Sequence, residues 1–282
     1  MLIIGEKLNG AIKSVAEAIK NRDGEFIRDL ASKQLLQRAD YLDICSGRPD
    51  GDADILKWMI ELIQNDHPDV RFSLDSPNPD TILECMPLCK NPGIINSVSL
   101  EKNKIESIFP AVAGKKGWKI IALLLDDNGM PEDVGKRMES FHGITAKMKE
   151  YGITADRVYF DPLVFTVGTS PDSFLNFINT SKEIKKEYPG AHIISGLSNI
   201  SYGLPYRKAL NHAFLIGAMM FGMDSAIMDP LNRDLLGGVY AAEALLGEDD
   251  TVSNIFPLSA TTFSEVRNNA YTCGRTGKNA VR

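Results

Sequence analysis

The chain has 282 residues, a net charge of −6, 44% hydrophobic and 24% charged residues. That balance is ordinary for a globular protein and argues against nucleic acid or an anionic membrane as main partner. Its four cysteines, Cys45, Cys85, Cys89 and Cys273, are too few for a disulfide framework, and no window approaches the ~18 apolar residues of a membrane span. The first residues, Met1 to Lys7, lack the basic stretch and long apolar run of a signal peptide. The expected compartment is the cytoplasm.

Leu2 to Gly5 reads as a short buried strand, followed by the polar Glu6 and Asn9. Ser14-Val-Ala-Glu17 is a capping-box pattern that opens a short helix to Lys20. Glu25 to Arg38 places Phe26, Ile27, Leu30, Leu35 and Leu36 at helical spacing. Tyr41 to Cys45 is the second strand, and Asp54 to Gln64 the helix after it. Val70 to Asp75 is a strand, Asp80 to Leu88 a helix, Gly93 to Asn96 a strand, and Lys102 to Ala113 a helix bent at Pro110. Trp118 to Leu125 is the fifth strand, and a polar loop leads to a helix from Pro131 to Tyr151. Arg157 to Asp161 is the sixth strand, and Ser170-Pro171-Asp172 starts a helix that reaches Glu187. His192 to Ser195 is the seventh strand, Tyr206 to Phe221 a helix, Ser225 to Met228 the eighth strand, and Asn232 to Leu246 the last helix.

Strand and helix thus alternate eight times, and the strands are continuous apolar runs. Such runs belong to parallel strands buried on both faces. The expected fold class is α/β, a (β/α)8 barrel, whose usual length is about 250 residues. The competing doubly wound sheet carries a G-x-G-x-x-G turn after its first strand. Here the turn reads Gly5-Glu-Lys-Leu-Asn-Gly10, without the central glycine. Residues 1–249 are expected to form the single domain. Residues 250–282 form a polar extension, read as a terminal tail in preference to an arm on a partner subunit.

A barrel gathers its strand ends on one face. The residues there are Glu6, Asn9, Asp43, Asp75, Asn96, Asp126, Asp161, Asn199 and Asp229. Taken singly, each fits a helix cap or turn former. As a converging set they suit either a hard cation such as magnesium or a flat heterocycle rich in N–H donors. The amides favour the heterocycle. No P-loop is present, and His67, His142, His192 and His212 show no ligand or triad spacing. Cys85 and Cys89, four apart, are too few for zinc and read as reduced thiols. Cys45 is the one visible nucleophile, at a strand end where a thiol is usually structural.

These strand ends resemble those of the pterin-binding methyltransferases, which include methyltetrahydrofolate:corrinoid protein methyltransferases and the folate domain of cobalamin-dependent methionine synthase. The resemblance runs from Met1 to about Leu246. It is carried by Ile3-Ile4-Gly5-Glu6-Lys7-Leu8-Asn9-Gly10, Leu74-Asp75-Ser76, Ile95-Asn96-Ser97, Phe160-Asp161-Pro162-Leu163 and Gly196-Leu197-Ser198-Asn199, with Arg207 and Ser225-Ala226-Ile227. It implies methyl transfer between N5 of tetrahydrofolate and the cobalt of a corrinoid held by a partner protein, within a demethylase (O-demethylation) or other one-carbon pathway. It also implies a homodimer and no metal bound by this chain.

By position, Asp161 would accept from the pterin 2-amino group and N3–H, and Asp75 and Asn96 would meet the N1/N8 edge. Asn199 would be the catalytic group at N5, and Arg207 would lie near that site or the folate tail. Gly196, Ser198, Tyr202 and Ile227 complete the expected substrate contacts. Tyr202 departs from the glutamine that relatives often carry. Two alternatives are dihydropteroate synthase and a folate-binding subunit without chemistry. Asn9-Gly-Ala-Ile-Lys13 does not look like the glycine- and serine-rich phosphate loop the first requires.

Overall fold

The computed structural model describes residues 1–48 and 51–248. The expected 250–282 extension, Cys273 within it, and residues 49–50 of the loop after the second strand lie outside the described residues. β1 (Leu2–Asn9) leads into α1 (Lys13–Asn21) and α2 (Gly24–Leu36), and β2 (Tyr41–Cys45) into α3 (Asp52–Asp66). Then come β3 (Phe72–Asp75), α4 (Pro79–Cys85), β4 (Ile94–Val98), α5 (Lys104–Ala113), β5 (Lys119–Leu123) and α6 (Val134–Tyr151). β6 (Val158–Asp161), α7 (Ser173–Glu187), β7 (His192–Gly196), α8 (Arg207–Met220), β8 (Ser225–Met228) and α9 (Arg233–Leu246) complete the order. The strands are parallel in sequence order, and β8 pairs with β1 to close the barrel.

Side chains on a strand alternate between its two faces. Outward residues such as Ile3, Leu42, Leu74, Ile95, Ile120, Phe160 and Ile193 are buried beneath the helices. Inward residues Ile4, Tyr41, Ile94, Ile121, Tyr159 and Ile194 pack on one another inside the barrel. Both faces are therefore dry, which is why the strands read as unbroken apolar runs. Phe160 shows the outward packing: its ring meets Phe141 of α6 edge-on at 4.9 Å. Its full burial contributes about 2–3 kcal/mol. The floor of the barrel is a polar layer, in which Lys119 Nζ donates to Tyr159 Oη at 2.7 Å and Tyr159 stacks on His192 at 4.6 Å.

Several boundaries differ from the sequence expectation. β1 does not stop at Gly5 but runs to Asn9 through a bulge, where Gly5 to Leu8 of β1 spans Leu42 to Ile44 of β2. The helix expected from a box at Ser14 starts at Lys13, with Ile12 at its N-cap and no side-chain cap. The Asn9 side chain accepts from Ala11 N–H, and Ile12 N–H bonds Asn9 O, so the turn closes earlier. β5 ends at Leu123, where Leu125 N–H folds back onto the Leu123 carbonyl. α6 starts at Val134, not Pro131, because Asp133 caps it by accepting from Lys136 N–H at 2.9 Å. Pro171 lies in the turn before α7, where Ser173 N–H bonds Ser170 O.

Candidate active site

The alternation that turns Ile94 and Tyr159 inward also turns Asn96 and Asp161 inward, two residues further up. Ser73 and Asp75, Tyr41 and Asp43, and Ile194 and Gly196 obey the same parity. The register then sets these residues side by side at the C-terminal rim. Cys45 pairs with Asp75, Asp75 with Asn96, Leu123 with Asp161, and Gly196 with Ile227. Three of the four strand ends expected to converge, Asp75, Asn96 and Asp161, thus share one mouth. The fourth, Asn199, sits just above on a single 3₁₀ turn, Leu197–Ser201, that follows β7.

Asn96 and Asp161 are held from behind. Asn96 Nδ2 donates to Asp43 Oδ1 at 3.1 Å, and Ser73 Oγ donates to the same oxygen at 2.6 Å. A second bulge begins at Asn96, since Asn96 pairs with Ile121 and Val98 with Ala122. The Asn96–Ser97 peptide is cis. Asp161 Oδ1 accepts from Leu163 N–H at 2.8 Å. Behind it Arg137 of α6 is fully buried, with Nε donating to Pro162 O at 2.6 Å and Nη1 to Asp133 O at 2.9 Å. Ser76 donates to Asp52, which ties the loop after β3 to α3.

On the far side, Asn199 is exposed and its Nδ2 lies over Gly196, 3.0 Å from where a β-carbon would be. The half-buried Ser198 donates to Glu6 Oε2 at 3.5 Å. Arg207 Nη2 donates to Ser198 O and Arg207 Nε to Ser201 Oγ, each at 3.1 Å. Tyr202 caps the turn, 72% exposed, with its carbonyl accepting from Thr166 Oγ1 at 2.7 Å. Ile227 of β8 is half-buried and pairs with Gly196 of β7. Asp126 is set apart, in a turn with Asn128 and Gly129 beyond β5. Asp229 bonds Lys7 Nζ at 3.2 Å.

Four carboxyl groups crowd this mouth, and all resist ionisation. Burial, with the neighbouring Asp75 charge, holds Asp43 well above the usual range. Burial pushes Asp161 up to about 7, against hydrogen bonds from the Leu163 and Gly196 N–H groups and the charge of Arg137. Asp75 rises to about 6, chiefly by burial and despite a hydrogen bond with Cys45. Glu6 reaches about 7 through burial and the charge of Asp229. Burial and Asp75 also push the Cys45 thiol far above its ordinary value, so Cys45 is no nucleophile at neutral pH.

A rim of carboxyl and amide oxygens offers acceptors to a ligand that brings N–H donors. Among the described residues no group of three His, Cys, Asp or Glu side chains is arranged to hold a metal ion. The Asp43 brace beneath Asn96 and the buried Arg137 behind Asp161 were missed from sequence. A charged residue on an amphipathic helix reads as solvated, and only its 0% exposure gives Arg137 away.

The molecule is thus a closed parallel (β/α)8 barrel whose C-terminal mouth gathers carboxyl and amide side chains. Residues 5–229 match the family model of the pterin binding enzymes, and the chain belongs to that family. A methylcorrinoid:tetrahydrofolate methyltransferase of Eubacterium limosum is 43% identical over 251 residues, which cover 88% of this chain and 92% of that protein. Methionine synthase of Mycobacterium tuberculosis is 29% identical over 83% of this chain, a match that takes in 21% of that larger protein. Among solved structures, dihydropteroate synthase of Yersinia pestis superposes with a TM-score of 0.61 at 16% identity, covering 87% of this chain and 93% of that one. The 7,8-dihydropteroate synthase of Vibrio fischeri gives 0.61 at 16% identity, covering 88% and 94%. At that identity they speak to the fold alone.

Proposed function

We propose that the protein transfers a methyl group between a corrinoid carried by a partner protein and N5 of tetrahydrofolate. The carrying observation is the acceptor-lined mouth, with Asp75, Asn96 and Asp161 on one side and the exposed Asn199 on the other. The 43% identity to the Eubacterium limosum methyltransferase supports the activity and its direction, towards methylated tetrahydrofolate. The corrinoid supplies the methyl group when its carrier docks, and the protein's side chains do the rest.

Asp161 takes the 2-amino and N3–H donors of the pterin, and those donors stabilise its ionised form. Asp75 and Asn96 take the N1/N8 edge, with Asn96 oriented by Asp43. Gly196, Ser198, Tyr202 and Ile227 border the ring, and Arg207 lies towards the folate tail. As N5 attacks the methyl carbon, the corrinoid leaving with the bonding electron pair, N5 gains positive charge and the Asn199 amide oxygen accepts from its N–H more strongly; the N5 proton is then released to water at the open mouth. A hydrogen bond stronger in the transition state than in the ground state accelerates the step. In the reverse direction N5 of methyltetrahydrofolate is a tertiary amine with no N–H, so it must take up a proton as the methyl group leaves before Asn199 can accept from it. Holding ring and methyl donor in line contributes further.

Within this reading the protein works as a homodimer in the cytoplasm, as the tetrahydrofolate-methylating component of a demethylase system such as an O-demethylase. Among the described residues no helix is long and apolar enough to cross a membrane. The test mixes purified protein with a methylated corrinoid protein and tetrahydrofolate, and follows the corrinoid spectrum and the folate product. Methyltetrahydrofolate formed in step with demethylated corrinoid is expected. Folate binding without transfer to or from any corrinoid protein would identify a binding subunit instead, and condensation of a pterin pyrophosphate with p-aminobenzoate would identify a dihydropteroate synthase.

A further inference from the structure

The Ser198–Asn199 turn is pinned from two directions. Arg207 holds the Ser198 carbonyl from α8 at 3.1 Å, and Glu6 receives the Ser198 hydroxyl from inside the mouth at 3.5 Å. The β1 bulge serves the second contact. Lys7 N–H leaves the strand ladder and donates to Gln34 Oε1 of α2 at 3.0 Å. Gly5 permits this approach, since a β-carbon there would come within 2.6 Å of the same oxygen. The extra residue breaks the pairing with β2 between Gly5 and Leu8, where Glu6 stands. Bulges commonly re-aim a side chain in this way beside active sites.

We propose that Glu6 is a positioning residue of methyl transfer, its carboxylate anchoring Ser198 and so setting the turn that presents Asn199 to N5. The inference rests on the methyl-transfer reading and adds a residue to it. The groups facing Glu6 are Asp43 of β2, Ser198 of the 3₁₀ turn, Arg207 of α8, Asp229 after β8 and its own neighbour Lys7. Lys7 is turned to Asp229. Burial and Asp229 raise the Glu6 carboxyl to about 7, while Lys7, Ser198 and Arg207 oppose them. Its ionisation therefore changes around neutral pH. Ionised, it draws the Ser198 hydroxyl; protonated, it holds the turn less firmly.

Three variants test the idea: Glu6→Gln, Ser198→Ala and the double variant. Folate affinity is measured by fluorescence, and kcat at saturating tetrahydrofolate with a methylated corrinoid protein from pH 6 to 8.5. At saturation the ring's donors hold Asp161 ionised, and because Asp75 and Asp43 also resist ionisation, the difference between the wild-type and Glu6→Gln profiles is what reports Glu6. Wild-type kcat should fall as pH drops through about 7. Glu6→Gln, which mimics the protonated acid, should lose the fall centred near pH 7 and be about 10- to 100-fold slower at pH 8, the scale of a misplaced reacting group. Its folate Kd should stay within about threefold, and the double variant should be no slower than the worse single one. A wild-type pH profile in Glu6→Gln, or additive losses in the double variant, would overturn the proposal. If the wild type itself transfers no methyl group, it is the methyl-transfer reading that fails.

Discussion

Replacing Asp161 with asparagine should strengthen the empty protein and disable it. The carboxyl is 7% exposed and is pushed from an ordinary 3.8 to about 7. The folded state therefore keeps the proton between those values while the unfolded chain has lost it. Stability from this group is full below about 3.8, falls as pH rises, and is lost above about 7. The span corresponds to on the order of 4 kcal/mol. An asparagine cannot ionise and escapes that loss. At pH 8 the variant should melt about 5–10 °C above wild type, the gap shrinking towards pH 4. Binding moves the other way, because the amide sets a donor against the pterin's donors. Losing one side of a buried charge-assisted pair costs about 2–5 kcal/mol, or roughly 30- to 5,000-fold in Kd. Wild-type affinity should itself weaken below pH 7, about tenfold per unit, as Asp161 takes up its own proton. Calorimetric titration of tetrahydrofolate with scanning calorimetry of the free proteins measures both effects. An asparagine variant that binds folate like wild type, or melts lower at pH 8, would refute the reasoning.

Asn199→Ala should leave the melting temperature and folate affinity nearly unchanged and lower kcat about 10²- to 10³-fold, as expected for one donor or acceptor lost at a developing charge. Equal rates in single-turnover assays would remove the amide from the chemistry. Arg137→Met should destabilise the fold by about 2–4 kcal/mol, because it strands the Pro162 and Asp133 carbonyls that Arg137 satisfies. It should also raise the pH below which folate binding fails, since Arg137 lowers the Asp161 pKa; an unmoved midpoint would sever that link. Iodoacetamide should spare Cys45 in the native protein at pH 7.5, and rapid labelling by mass spectrometry would show the thiol is not suppressed as its burial beside Asp75 requires.

The barrel was legible because strands dry on both faces leave unbroken apolar runs, and eight of them alternate with amphipathic helices. The mouth was legible because a carboxylate in such an apolar run is least costly at its end, where Asp75 and Asp161 stand. The supports were less so. Asp43 looks like one more strand end, yet it lies inside β2, where Ser73 and Asn96 hydrogen-bond to it. Its distinguishing mark is parity, since it stands two residues above the inward Tyr41, as Asp161 stands above Tyr159. The β1 bulge depends on Gln34, a long-range contact that no local pattern announces. Helix starts at Lys13 and Val134 escaped for a related reason. Asn9 and Asp133 set them through their own side-chain bonds, which outweigh the nearby Ser14 box and Pro131.

The account stands on where the heterocycle lies. A crystal structure with bound methyltetrahydrofolate should find the pterin edge within hydrogen-bonding distance of Asp75, Asn96 and Asp161, and N5 turned to Asn199 at the open end of the barrel. A ring seated away from those three side chains, or one whose N5 points down the barrel axis away from Asn199, would contradict it.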